Sequence, residues 1–146
     1  LPVAVVAAER EEMLEQTLSS VLRCRGIVAD DVVVIQDGGN DAVRGVAERF
    51  GVRIRGGVRG SVRDKAIPIA QHYKFTLQTA LEVAAPLSPG VIVLEDDFVV
   101  SPDFYEYFHA AALALDADPS LWLASAWHDN GFAHTLGPGD EVALWR

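Results

Sequence analysis

Apolar residues along the chain fall into two patterns, short uninterrupted runs and longer stretches with apolar positions three or four residues apart. Short runs rich in β-branched residues are typical of buried strands, and the wider spacing is typical of amphipathic helices. The five runs are residues 3–8, 31–36, 52–55, 91–94 and 121–127. Helical stretches separate most of these runs, so the sequence predicts an α/β fold with a largely parallel sheet and helices on both faces.

Four helices are expected between these strands, each with one buried stripe. Gly51 follows the second stripe as a stop signal, Pro68 suits the first turn of the third helix, and Ser101-Pro102 is typical of the start of the fourth. The stripes are Met13, Leu14, Thr17, Leu18, Val21 and Leu22; Val43, Val46, Ala47 and Phe50; Ile69, Tyr73, Leu77 and Leu81; and Phe104, Phe108, Ala111 and Leu115.

Size and composition suit one domain with a sizeable core, since the chain has 146 residues and 50% of them are hydrophobic. No run approaches the roughly 20 apolar residues of a membrane span, and the first residues lack the features of a signal peptide. Both ends are abrupt, so we expect residues 1–146 to be part of a longer protein. Cys24 is the single cysteine, which excludes an internal disulfide and favours a buried, inert thiol.

The net charge of −9 argues against nucleic acid as the main partner, because phosphate binding favours a basic surface. The charge is unevenly distributed. Residues 44–74 hold eight Lys or Arg and two acids, whereas residues 75–146 hold eleven acids and one Arg. An acidic site beside a basic stretch would suit a metal–diphosphate ligand, although solvated helix faces and loops would give the same distribution.

Polar residues follow the predicted strands, and in parallel sheets ligands gather at the carboxyl ends of strands. These positions are Glu9-Arg10, Gln36-Asp37, Glu95-Asp96-Asp97 and residues 127–130. Three adjacent carboxylates repel one another unless a cation or water offsets their charge. If the segment is extended, Glu95 and Asp97 share one side and Asp96 takes the other. Mg²⁺ or Mn²⁺ bound through one or two carboxylates and substrate phosphates would fit, and a solvated acidic turn is the alternative.

Three further residues have both a structural and a binding interpretation. Asp37 could form an Asx-turn before Gly38-Gly39 or contact a ligand. Arg10 could lie on the surface at a helix start or pair with a diphosphate or carboxylate. His72, on the predicted third helix, could be structural or bind a ligand. The sequence has neither nucleotide-binding glycine motif, and His128 and His134 are too loosely placed for a zinc pair.

Specific motifs occur in the second half of the chain: VIVLEDDFVVSPDFYEYF at residues 91–108 and DPSLWLASAWHDNG at residues 118–131. They closely resemble those of the β-1,2-N-acetylglucosaminyltransferase I family, including its protein-O-mannose-directed relatives. PVAVVAAER, IQDGG and IAQHYKFTL are similar to the family's first strand, its Gln-Asp turn and its His-Tyr helix, in that order. The resemblance therefore covers essentially the whole chain.

The resemblance implies a GT-A type fold and Mn²⁺-dependent, inverting transfer of GlcNAc from UDP-GlcNAc to a terminal mannose of a glycoprotein. It places Asp97 on the metal, Asp96 at the donor ribose and Glu95 beside the sugar. Arg10, Asp37 and His72 would hold the uridine and diphosphate. Residues 1–146 would be the N-terminal, donor-binding part of one catalytic domain, inactive alone because the family's catalytic base lies further along. A Golgi membrane location, with an anchor outside this segment, is also implied.

Departures from the family pattern include Glu9 in place of Asp, His128 in place of Asn, and a shortened loop at residues 56–64. Two rival hypotheses remain. A phosphoacceptor signalling domain would also cluster carboxylates around Mg²⁺, but it normally places an acidic pair after its first strand. A non-catalytic nucleotide-sugar or carbohydrate-binding module would keep the fold without the base. Within the family, transfer to O-linked mannose is the alternative to N-glycan processing.

Overall fold

The computed structural model describes residues 1–56, 66–84 and 88–127, and within these the strands and helices alternate along the chain. The strands are β1 (Val3–Ala7), β2 (Val32–Gln36), β3 (Arg53–Gly56) and β4 (Ile92–Glu95). The helices are α1 (Glu11–Val21), α2 (Asp41–Arg49), α3 (Ala66–Thr79) and α4 (Phe104–Ala117), and α3 continues as a π-helical turn, Ala80–Ala84. A short 3₁₀ turn, Ala29–Asp31, precedes β2.

All four strands are parallel and are ordered β3-β2-β1-β4. In the central register, Val5 of β1 lies between Val34 of β2 and Leu94 of β4. Parallel pairing brings the carboxyl ends of β1, β2 and β4 to the same edge of the sheet. The polar residues that follow these strands therefore lie close together.

Side chains of β1 and β2 alternate between two cores, one on each face of the sheet. One core contains Val3, Val5 and Val34 and is covered by α1, α2 and α4. The other contains Ala4, Val33 and Ile35 and is covered by Phe75 and Ala80 of the α3 region. The α/β class, the parallel sheet and the helices on both faces are confirmed.

The predicted burial of α1 and α2 is largely correct, whereas in the predicted stripe of α4 Phe104 is buried and the other three residues are half-buried. Leu14 and Leu18 of α1 are fully buried, although Met13 is exposed. Gly51 ends α2 with φ +66°, a conformation that favours glycine. Cys24 is buried, as expected, and burial raises the pKa of its thiol. Helix α4 begins at Phe104, two residues after Pro102.

The predicted buried face of α3 is wrong. Ile69, Leu77 and Leu81 are exposed, and the neighbouring stripe through His72 and Thr76 is buried instead. The helix lies with Phe75 and Ala80 against the sheet. Because successive residues are about 100° apart around a helix, this orientation turns the apolar stripe away from the sheet.

The predicted fifth strand at residues 121–127 is also wrong, because this segment is irregular. Trp122 and Leu123 are exposed, and the segment is held to α4 by the Tyr107 hydroxyl, which donates to the Ser125 carbonyl at 2.8 Å. A strand needs a hydrogen-bonding neighbour as well as apolar residues, and no strand in the described part of the chain pairs with this segment. Most of the loop predicted at residues 56–64, and the polar group at 128–130, lie outside the described residues.

No helix among the described residues combines the length and the apolar character needed to cross a bilayer.

Candidate active site at the carboxyl edge of the sheet

A cavity of about 220 Å³ lies at the carboxyl ends of the strands. Five of the six predicted site residues line it: Arg10, Asp37, His72, Glu95 and Asp96. Residues 6–8 at the end of β1 and Ile69 and Tyr73 of α3 complete its lining. The sixth, Asp97, is next to Asp96 in the chain and is linked to the cavity through Arg10. Residues from four separate parts of the sequence therefore meet in one place.

The three carboxylates of the triplet have different environments. The side chain of Asp96 is only 3% exposed, whereas that of Asp97 is 36% exposed. Glu95, the last residue of β4, is also exposed. Asp96 and Asp97 lie in a turn after β4, and Glu95 and Asp96 both line the cavity, so the condition of the extended-chain prediction is not met.

Arg10 joins two members of the triplet. Its guanidinium forms an ion pair with Asp96 and donates to Asp97 Oδ2 at 3.0 Å. The Asp96 charge is the main reason that the pKa of Arg10 is raised further above its ordinary value. The arginine is therefore a cation that offsets part of the repulsion between the carboxylates.

Helix α1 fixes the turn that carries the triplet. The hydroxyl of Thr17, which is fully buried, donates to the Asp96 carbonyl at 2.8 Å. Three residues further along the helix, the Ser20 hydroxyl accepts from the Val100 backbone N–H at 3.1 Å. Buried polar groups are usually hydrogen-bonded, and here the partners are the backbone of Asp96 within the triplet and of Val100 shortly after it.

The turn after β2 places Asp37 at the cavity. Its backbone N–H donates to the Ala7 carbonyl at 2.8 Å, which extends the β1–β2 ladder by one bond. Gly38 has φ +79°, so the turn needs a glycine there. Asn40 caps α2 by accepting from Ala42 and Val43 N–H groups at 2.9 and 3.2 Å. Asn40 is thus the cap of α2, and Asp37 lines the cavity.

Helix α3 brings His72 and Tyr73 to the opposite wall. His72 is 6% exposed, and neither ring nitrogen has a hydrogen-bond partner among the described residues. One oxygen of Asp96, Oδ2, is also buried without such a partner. Buried polar atoms are usually hydrogen-bonded, so these atoms would suit a polar ligand in the cavity.

Sequence reasoning missed two residues of this site. Tyr73 had been assigned to the buried face of α3, but its hydroxyl donates to Glu95 Oε1 at 2.5 Å. Thr17 had been assigned to the apolar stripe of α1, and its hydrogen bond to the triplet was not foreseen. The available signal for Thr17 was a hydroxyl at a core position, which requires a buried partner.

A divalent cation fits this donor set only if other ligands come from elsewhere. No three His, Cys, Asp or Glu side chains in the described ranges converge on one point in a way that could hold a metal. Asp97 offers an exposed carboxylate with one oxygen bonded to Arg10. Mg²⁺ and Mn²⁺ commonly bind through one or two carboxylates, with phosphates and water supplying the other ligands. The residues present therefore fit a metal that arrives with a diphosphate.

Comparison with known proteins gives one family for the whole chain. The GNT-I family model matches residues 1–146. An Arabidopsis thaliana protein, alpha-1,3-mannosyl-glycoprotein 2-beta-N-acetylglucosaminyltransferase, is 35% identical over 162 residues, covering 99% of this chain and 34% of that protein. The chain thus spans about a third of the length of this relative.

Among solved structures, the mannosyltransferase PcManGT from Pyrobaculum calidifontis, in complex with GDP-Man and Mn²⁺, is similar over 82% of this chain and 33% of its own. The TM-score is 0.45 and the identity is 20%. A similarity this distant does not carry that protein's ligands over to this chain. Because the family model matches every residue of the chain, the chain belongs to the GNT-I family.

Proposed function

We propose that this chain is the donor-binding part of a glycosyltransferase that moves GlcNAc from UDP-GlcNAc to a terminal mannose of a glycoprotein, with Mn²⁺ and with inversion. The observation that carries the proposal is the convergence of Arg10, Asp37, His72 and the triplet at one edge of the sheet, in a chain of the GNT-I family. The name of the Arabidopsis relative, which specifies a mannosyl-glycoprotein, supports the acceptor.

The volume of the cavity and the positions of the charged residues suggest that one part of the proposed donor lies inside the cavity and the rest at its rim. A cavity of about 220 Å³ is smaller than the roughly 300–1,000 Å³ of typical small-molecule sites, so it holds only part of a nucleotide sugar. Asp37 and His72 line the cavity, and we assign the uridine to them. Asp96 is proposed to contact the ribose. Asp97 is more exposed, so it would contact the metal and its diphosphate at the rim of the cavity.

The charged residues would act on the diphosphate and the sugar. When bound, the metal would neutralise negative charge that develops on the departing diphosphate. Asp97 would hold that metal through its carboxylate. Arg10, whose side chain is 53% exposed, has N–H donors beyond those bonded to Asp96 and Asp97, and these would contact a phosphate. Glu95 would accept a hydrogen bond from the sugar. The base that deprotonates the acceptor is proposed to lie outside residues 1–146.

A calorimetric titration of the full-length protein with UDP-GlcNAc, with and without Mn²⁺, tests this function. We expect Mn²⁺-dependent binding that Asp97→Asn abolishes. Asp116→Asn is the matched control, because Asp116 is an exposed carboxylate on α4. Equal binding with and without metal, or equal losses in both variants, would refute the assignment of Asp97.

The acceptor and the location are further proposals. We propose N-glycan mannose as the acceptor and the Golgi lumen as the compartment, with a membrane anchor outside this segment. Transfer to O-linked mannose is the alternative within the family. Competition between a mannose-terminated N-glycan and an O-mannosyl peptide for one labelled donor distinguishes them, since only the preferred acceptor will suppress labelling of the other at low concentration.

A further inference from the structure

A hydrogen bond links α3 to the end of β4 inside the site. Tyr73 Oη donates to Glu95 Oε1 at 2.5 Å, and both residues line the cavity. The bond joins residues 22 positions apart, so it is tertiary. It occupies Oε1 of the Glu95 carboxylate and leaves Oε2 to accept a second hydrogen bond.

The Tyr73 hydroxyl remains a donor under all ordinary conditions. Burial, followed by the hydrogen bond and charge of Glu95 and by the charge of Asp97, raises the pKa of Tyr73 to about 12. The phenol therefore keeps its proton at neutral pH, and Glu95 Oε1 accepts the hydrogen bond. Hydrogen bonds to charged groups are stronger than those between neutral groups.

The two residues differ in how firmly the rest of the fold holds them. Tyr73 is partly buried on a helix whose neighbours His72 and Phe75 pack inward. Glu95 is exposed at the end of a strand, and a glutamate side chain loses rotamer entropy when it is fixed in one orientation. Tyr73 is thus the anchored partner and Glu95 the one that is oriented.

We propose that Tyr73 is a positioning residue for sugar recognition: it holds the Glu95 carboxylate so that Oε2 accepts a hydrogen bond from a hydroxyl of the donor sugar. This rests on the proposed function, in which Glu95 lies beside the sugar. Tyr73 acts through Glu95, so its effect should appear in the sugar's contribution to donor affinity and be absent from the nucleotide's contribution.

The test compares affinities for UDP and for UDP-GlcNAc, both with Mn²⁺, in the full-length protein. Tyr73→Phe should weaken UDP-GlcNAc binding roughly tenfold, the scale of one hydrogen bond to a charged group, and leave UDP binding within about twofold. Equal weakening of both ligands would show a general structural effect and would overturn the proposal. No change in either affinity would overturn it as well.

Tyr105→Phe is the matched control. Tyr105 is also buried and also hydrogen-bonded, with its hydroxyl donating to the Leu1 carbonyl at 2.9 Å. Leu1 precedes β1, so this bond lies at the amino edge of the sheet, opposite the site. Loss of this hydroxyl should leave the ratio of the two affinities unchanged. A ratio altered as much as by Tyr73→Phe would contradict a specific role for Tyr73.

A double-mutant cycle with Glu95→Ala shows whether Tyr73 acts through Glu95. In the Glu95→Ala background, Tyr73→Phe should cause no further loss of UDP-GlcNAc affinity. Additive losses would mean that Tyr73 acts independently and would overturn the proposal. Failure of the wild-type protein to bind UDP-GlcNAc with Mn²⁺ is a separate result, which would refute the proposed function and this inference together.

Discussion

Replacing Arg10 with methionine removes a guanidinium that serves two carboxylates while keeping much of the apolar stem. Asp96 and Asp97 then remain side by side without their cation. The two lost ion pairs are not equivalent, because Asp96 is 3% exposed and Asp97 is 36% exposed. We therefore expect the cost to arise mainly at Asp96.

The magnitude follows from these exposures. Exposed ion pairs contribute about 0–1 kcal/mol, so the Asp97 pair accounts for at most about 1 kcal/mol. Leaving a fully buried charge unpaired costs about 3–5 kcal/mol. Arg10 is itself 53% exposed, which screens the Asp96 pair and lowers its share to about 2 kcal/mol. We expect Arg10→Met to lower the unfolding free energy by about 2 kcal/mol, most of it from Asp96.

Urea unfolding of the full-length protein without metal or nucleotide measures this change. At typical urea m-values of about 1–3 kcal/mol per molar, the midpoint should fall by roughly 1 M. Asp96→Asn removes the buried charge and keeps the shape of the side chain. Combined with Arg10→Met, it should restore more than half of the lost unfolding free energy. Adding Asp97→Asn should restore little. If Asp97→Asn restored as much as Asp96→Asn, or if Arg10→Met caused no loss, the reasoning would be refuted.

Three other outcomes are expected. Thr17→Val should lower the unfolding free energy by about 1–3 kcal/mol and raise KM for the donor, because it leaves the Asp96 carbonyl without its bond. Thr76→Val, in contrast, should be neutral or slightly stabilising in the same urea assay, since the buried Thr76 hydroxyl has no partner among the described residues. Finally, the folded protein holds the Tyr73 proton more tightly, with a pKa of about 12 against the ordinary 10.0. The stability that this group contributes is present below pH 10 and is lost as pH rises toward 12. Between pH 10 and pH 12 the melting temperature should therefore fall less steeply with pH in Tyr73→Phe than in the wild-type protein. An equally steep fall in both proteins would contradict this.

Strands and their ends were the most predictable part of the fold. Parallel strands buried on both faces require continuous apolar runs, and the runs at β1, β2 and β4 locate these strands to within one residue. Once the strands are placed, their carboxyl ends must share an edge. The convergence of Arg10, Asp37 and the triplet follows from that constraint.

The orientation of α3 was less predictable, because two adjacent stripes compete for the sheet. Hydrophobicity favours Ile69, Leu77 and Leu81, but Phe75 and Ala80 are the residues that pack on the sheet. The choice depends on the shape of the sheet face, which a one-dimensional pattern does not contain. The bond between Tyr73 and Glu95 depends on the same rotation and was missed for that reason.

The incorrect prediction of a strand at residues 121–127 had a different cause. Its apolar composition is that of a strand, but a strand forms only where a sheet edge is available for hydrogen bonding. In the described part of the chain this segment bonds to α4 through Ser125 instead. Local composition predicts the tendency of a segment, and the tertiary neighbours decide whether it becomes a strand.

Asp97 is proposed to hold a divalent metal that arrives with a diphosphate. Mn²⁺ titrations of the full-length protein, followed by electron paramagnetic resonance, test it directly because free and bound Mn²⁺ give different signals. With protein alone the signal should stay close to that of free Mn²⁺, since Asp97 supplies a single exposed carboxylate. Added UDP should convert it to the bound form beyond what UDP does without protein. Tight binding without UDP, or the same UDP-dependent conversion in Asp97→Asn, would contradict the account.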